Sequence, residues 1–209
     1  MGYKFDAPTR ERLRANVTAH NPTEVAEPTL RRAAVALAVL PHPETGAPAV
    51  LLTLRGGRLR RHRGQYAIPG GRLDPGETAM TAALRELREE VGMTLDPAQA
   101  LGRLDDLPTL SGFRITPFVF WSDAPGRLIP DPGEVEAIFH IPLDELAAAE
   151  LEARAPAPGE PTSPSLPLPT VGEEIYVPTA AILWQFREVA LFGRTTRVDG
   201  LAAPRFAHR

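Results

Sequence analysis

A chain of 209 residues with 43% hydrophobic content is long enough to bury a substantial core and fits one domain with an elaboration. Its formal net charge of −3 argues against general nucleic-acid binding, although a local basic patch remains compatible with it. There is no cysteine, which excludes disulfides, thiolate metal sites and cysteine nucleophiles; it fits a reducing compartment, and a cytoplasmic location is expected.

In chain order, residues 6–19 predict a short helix with Asp6 as N-cap and Leu13 and Val17 facing inward. The continuous apolar run 33–40 reads as a strand buried on both faces, and 49–55 as its hairpin partner after a turn-rich connection. An arginine-rich loop follows, then AIPGG leads towards a helix that Thr78 caps and Gly92 stops. Strands are expected at 113–121 and 136–142, and a helix at 143–153. Residues 155–170 hold six prolines and read as a surface excursion, unable to hold a regular helix or a central strand. A short strand at 173–177, a helix at 179–192 and a tail close the chain. The expected organisation is a helical arm (1–30), a domain (31–192) with a proline-rich insertion (155–172), and a tail (193–209). Mixed strands and helices of this kind point to an α+β or α/β sandwich rather than a doubly wound sheet. No apolar run approaches a membrane span and no targeting signal is evident, so no membrane partner is expected.

On a helix over 78–91, Met80, Leu84, Leu87 and Val91 form one apolar stripe. Glu86, Glu89 and Glu90 stand at i, i+3 and i+4, so their carboxylates converge on another face. Ala79, Ala82 and Ala83 keep the preceding turn small, as if to leave room for a ligand. Two readings fit this geometry alone: a solvated acidic face, or ligands for a hard cation such as Mg²⁺. Upstream, five arginines and one histidine fall within residues 55–63. Alone, that run is a solvated loop or a nucleic-acid contact; next to a metal site it can dock an anion.

The wider spacing supplies what the helix cannot. From Gly71 the chain runs five residues to Glu77, seven more to Arg85-Glu86-Leu87, then Glu89-Glu90 and Gly92 followed by an aliphatic residue. This resembles the Nudix box of hydrolases that cleave a nucleoside diphosphate linked to a further group. The resemblance implies a Nudix-type α/β/α sandwich with a mixed central sheet and the box as loop–helix–loop. It also implies Mg²⁺ or Mn²⁺ held by Glu86, Glu89, Glu90 and the Gly71 carbonyl. Arg85 would steady the helix face through Glu77 or Glu89, and Glu77 would otherwise support the metal from behind. Glu86 or Glu89 would take the proton from the attacking water, with Glu134 or Glu136 as loop alternatives.

Residues 51–71 resemble the additional motif of coenzyme A pyrophosphatases, through Leu51, Leu52, Thr53, Arg55, Arg60, Gly64, Pro69, Gly70 and Gly71. Gly56 stands where Ser or Ala is usual, Ile68 where Phe is usual, and Val177 where a later family segment has Gly. The implied substrate is coenzyme A or its thioesters, cleaved to adenosine 3′,5′-bisphosphate and (acyl-)4′-phosphopantetheine. Arg55, Arg60, Gln65 and Ser111 are the substrate-binding candidates. Alternatives are another nucleoside diphosphate such as ADP-ribose or NADH, a catalytically silent ligand-sensing Nudix module, or an RNA-binding protein. The partner expected is a small molecule and not a nucleic acid, and a homodimer is a candidate assembly because relatives commonly form one.

Overall fold

The structure is a computed structural model that describes residues 2–56, 65–154, 163–198 and 201. It opens with α1 (Ala7–Ala19), where the Asp6 side chain accepts the Thr9 amide at 2.9 Å and so satisfies one of the open N–H groups of the first turn. Then come β1 (Arg31–Pro41), β2 (Pro48–Arg55), β3 (Tyr66–Ala67) and β4 (Gly70–Arg72), followed by α2 (Ala79–Val91). Strands β5 (Ala100–Arg103), β6 (Leu107–Pro108), β7 (Phe113–Trp121) and β8 (Val135–Pro142) lead into α3 (Leu143–Ala148). Strands β9 (Glu152–Arg154), β10 (Ser163–Leu168) and β11 (Glu173–Tyr176) precede α4 (Thr179–Phe186), which runs into a π-helical turn over Arg187–Leu191.

Strands β1 to β8 make one mixed sheet around β1, which pairs in parallel with β7 and antiparallel with both β2 and β4. The alternation of side chains along β1 splits the core in two. Ala34, Ala36, Ala38 and Leu40 face α2, whereas Val35, Leu37 and Val39 face α1, α3 and α4. The result is the expected sandwich, helix–sheet–helix with a mixed centre. The inward pair on α1, Leu13 and Val17, is 0% and 1% exposed. Ahead of that helix, Phe5 stacks on Trp121 with ring centroids 4.3 Å apart.

Two expectations fail in the second half of the chain. The helix at 143–153 stops at Ala148, because residues 152–154 are drawn into pairing with β10. The proline-rich segment is not all excursion, since Ser163–Leu168 is the middle strand of a separate three-stranded sheet β9–β10–β11. Proline survives there because only Ser165 is paired on both sides. Pro164 pairs with β9 alone and Pro167 with β11 alone, so each has an unpaired side towards which its ring nitrogen, lacking a hydrogen, can face. AIPGG is likewise not a plain lead-in to α2, for it supplies β3 and β4.

Asp105, 3% exposed, ties distant segments together. Its carboxylate accepts the Thr23 amide at 2.7 Å, and it stands 3.1 Å from His20 Nε2 and 2.6 Å from the Arg197 guanidinium. The C-terminal residues up to Val198, itself 1% exposed, therefore pack on the domain without regular structure.

Candidate active site

Local signals place α2. The Thr78 hydroxyl accepts the Thr81 amide at 3.1 Å, and Gly92, at φ 71°, ends the helix with its amide on the Arg88 carbonyl at 2.9 Å. The buried face of α2 is turned from the expected stripe: Ala82, Ala83, Leu87 and Val91 are fully covered, while Met80 and Leu84 are only partly so. The alanines do not open space for a ligand. They pack against Ala34, Ala36 and Ala38 of β1, small against small, which brings the helix close to the sheet.

That rotation makes the three glutamates unequal. Glu90 lies at the helix–sheet boundary, 2% exposed, with Oε2 buried and without a hydrogen-bond partner. Burial raises its pKa to about 8, against the opposing pull of Arg55, whose guanidinium stands 3.8 Å from Oε1. Glu86 is half-buried, and desolvation raises its pKa despite the Arg85 hydrogen bond. Glu89 is half exposed and turned to Arg85 at 2.9 Å. Glu134, whose carbonyl accepts the Gly56 amide at 2.7 Å, adds its negative charge to the field at both Glu86 and Glu90.

Arg85 organises this face. Its guanidinium grips Glu77 through Nε at 3.0 Å and Nη2 at 3.1 Å, and reaches Glu86 at 2.8 Å and the Arg72 carbonyl at 3.0 Å. These bonds, Glu77 foremost, hold the arginine charged and lower the pKa of Glu77 in return. Glu77 also accepts the Asp74 amide at 2.9 Å, so it braces the loop before the helix.

The two glycines of β4 act by what they lack. A Cβ on Gly71 would stand 2.3 Å from Glu86 Oε1, so the carboxylate occupies the space of a side chain. A Cβ on Gly70 would stand 2.4 Å from the Ala34 carbonyl oxygen, so β4 approaches β1 only without one.

A divalent cation fits this donor set. Two carboxylates with pKa values raised by burial, one of them with an orphaned buried oxygen, are only partly compensated by Arg85 at 2.8 Å and Arg55 at 3.8 Å, and a hard cation supplies the rest. No preassembled cage of three acidic or imidazole groups exists among the described residues, and Glu89 joins Glu86 and Glu90 only by leaving Arg85.

On the opposite side of Gly70–Gly71 lies a pocket of about 240 Å³, floored by Val35, Tyr66, Ile68, Ile115 and Ile182. Arg55, Gln65, Gly71 and Ser111 all line it, so four of the residues singled out in the sequence meet at one cavity. Arg60 and His62 lie outside the described residues. The pocket lining from Thr109, Phe113 and Thr179 had no sequence signal beyond ordinary core or loop character.

With the geometry in place, comparison with known proteins decides the family. The NUDIX domain profile matches residues 30–161. The chain belongs to the Nudix family. Over 119 residues it is 42% identical to the uncharacterized Nudix hydrolase NudL of Pectobacterium atrosepticum, a match covering 56% of this chain and 60% of that one. A NudL of Yersinia pestis is 41% identical over 118 residues, covering 56% and 58%. The chain thus spans about six-tenths of the length of these relatives. A MutT/nudix family protein from Enterococcus faecalis shares the fold, with a TM-score of 0.51 at 13% identity over 87% of this chain and 74% of that one. No helix of this Nudix chain, among the described residues, is long and apolar enough to cross a membrane.

Proposed function

We propose that this Nudix protein is a Mg²⁺- or Mn²⁺-dependent diphosphatase of coenzyme A or its thioesters, releasing adenosine 3′,5′-bisphosphate and (acyl-)4′-phosphopantetheine. The observation that carries the reading is the Gly70–Gly71 junction, with the desolvated carboxylates of Glu86 and Glu90 on one side and a pocket lined by Arg55, Gln65 and Ser111 on the other. A diphosphate laid across it meets negative charge that only a cation neutralises, while its organic substituent finds an apolar floor.

Glu86, Glu90 and the Gly71 carbonyl would hold the cation, with Glu89 recruited from Arg85. When bound, the cation supplies charge neutralisation of the phosphate oxygens and a more acidic water. Water then adds to one phosphorus as the bridging P–O bond breaks in line, and its proton passes to a carboxylate. Glu86, packed against Gly71, and Glu89 are the candidates for that proton. Arg85 keeps both carboxylates aimed, and Arg55, beside Glu90, faces the diphosphate.

The test is turnover of CoA, dephospho-CoA, ADP-ribose and NADH at fixed Mg²⁺, by wild type and Glu90→Gln, with products separated by chromatography. Preference for CoA that the substitution abolishes supports the reading. Equal or better turnover of ADP-ribose assigns the site to another nucleoside diphosphate, and turnover of nothing favours a ligand sensor.

A further inference from the structure

Beyond Gly71, on the side away from Arg55, an open groove of about 780 Å³ runs between the start of β1 and the loop that enters α2. Its walls include Arg31, Arg32, Arg72 and Arg85, with Glu86 at the end shared with the acidic face. Arg85 is spent on Glu77, Glu86 and Glu89. Arg31 lies flat on Phe113, 3.9 Å from the ring centre, and donates to the Ser111 carbonyl at 2.6 Å. The side chains of Arg32 and Arg72 make no hydrogen bond or ion pair among the described residues, and both are exposed. Three acids share the lining: Glu77 and Glu86 are bonded to Arg85, and the exposed Asp74 stands 3.9 Å from the same arginine. Three guanidinium groups therefore face the groove without a carboxylate bound to any of them.

All three line the groove, and strand register accounts for two of them. Arg72 pairs with Ala33 across β4–β1, which sets it diagonally beside Arg31 on one face, while Arg32 emerges on the other face of the same strand end. Arg72 borders both this groove and the apolar pocket, whose lining also includes Thr109 and Ser111. A basic pole thus stands on the far side of the acidic face from Arg55. Arg55 itself is close to Glu90 and so is placed for the diphosphate rather than for a remote charge.

We infer that Arg32 and Arg72, supported by Arg31, form an anion subsite that binds a phosphomonoester of the substrate separate from the diphosphate being cleaved. The inference rests on the proposed reading, since it requires a substrate with a third phosphate, such as the 3′-phosphate of CoA. Forked guanidinium groups suit a terminal phosphate, whose oxygens accept paired N–H donors.

Two measurements on Arg32→Gln, Arg72→Gln and the double variant test it. The first is binding of adenosine 3′,5′-bisphosphate and of AMP in the presence of Mg²⁺, by calorimetry. Wild type should bind the bisphosphate at least roughly tenfold more tightly than AMP, and the double variant should bind the two alike. The second is kcat/KM for CoA against dephospho-CoA, where the double variant should lose about tenfold or more on CoA and less than about twofold on dephospho-CoA. Equal losses on both substrates would mean only general damage and would overturn the subsite. If wild type prefers CoA and the variants keep that preference, the subsite is wrong and the function stands. If wild type turns over ADP-ribose as well as CoA, the function is wrong, and equal binding of AMP and the bisphosphate removes the subsite as well.

Discussion

Replacing Glu90 with glutamine should disable the protein as an enzyme and stabilise it as a fold, provided no divalent cation is present. The wild-type carboxyl is buried with its pKa at about 8, well above its ordinary 4.5. A folded-state pKa raised in this way costs nothing below pH 4.5, costs progressively more up to about pH 8, and costs a constant amount beyond. At about 1.36 kcal/mol per unit, the full penalty near pH 8.5 is about 5 kcal/mol. Glutamine removes the charge but still buries a polar amide and deprives Arg55 of its partner, so the net gain should be roughly 2–4 kcal/mol, or roughly 5–15 °C in Tm. The assay is thermal unfolding of both proteins in chelator at pH 8.5 and pH 5.5, then at pH 8.5 with Mg²⁺. At the lower pH the wild-type penalty is only about 1.4 kcal/mol, which the costs of the glutamine offset, so the gap should close to about zero or reverse. Mg²⁺ should raise the wild-type Tm and leave that of the variant nearly unchanged. A variant no more stable than wild type in chelator at pH 8.5, or an offset equal at both pH values, would refute the account of Glu90 as a buried charge that Arg55 only partly compensates.

Arg85→Ala leaves Glu77 and Glu86 without their donor, so it should cost about 2–4 kcal/mol of stability and at least about a hundredfold in kcat; Lys, lacking the fork, should not restore it. Gly71→Ala and Gly70→Ala should separate function from fold. The first displaces the Glu86 carboxylate, a movable side chain, so turnover should fall at least about tenfold with a modest change in Tm. The second collides with the β1 backbone, so chemical denaturation should show a loss of about 2 kcal/mol or more. Gly56→Ala restores a residue usual at that position. The added Cβ would sit 3.4 Å from the Glu134 carbonyl oxygen, an ordinary contact, and the stiffer unfolded chain should raise stability by about 0.4–1 kcal/mol.

What could be read from the sequence was what is local along the chain. Helix α2 announced itself because Thr78, the 3.6-residue spacing and Gly92 all lie within fifteen positions of one another. Strand β1 did so through an unbroken apolar run, and β2 and β7 through stretches rich in aliphatic and aromatic residues. Strand β10 did not, because its existence depends on partners before and after it that shield its prolines from double pairing. The acidic cluster was visible, yet spacing treats Glu86, Glu89 and Glu90 as equivalent. Only the packing of Ala82 and Ala83 on the alanines of β1 turns the helix so that Glu90 is buried, Glu86 half-buried and Glu89 bound to Arg85. The arginines of the groove were equally visible as letters. Arg31 and Arg32 precede a strand and Arg72 follows a glycine pair, and nothing in that order reveals that β4 folds back beside β1.

The Asp105 cluster sets an order on how the molecule is made. A ribosome delivers His20 and Thr23 well before Asp105 itself, so those two partners can engage it while synthesis continues. Arg197 comes 92 positions later, and its guanidinium is the last counter-charge to arrive. A nascent chain halted before Thr196, whose carbonyl accepts the Gln185 side chain of α4 at 3.1 Å, would hold a buried acid with its compensation incomplete and the end of α4 still unlatched. Limited proteolysis of such arrested chains should cut near α1 and α4 sooner than in the intact protein, with closure of the fold waiting on Arg197.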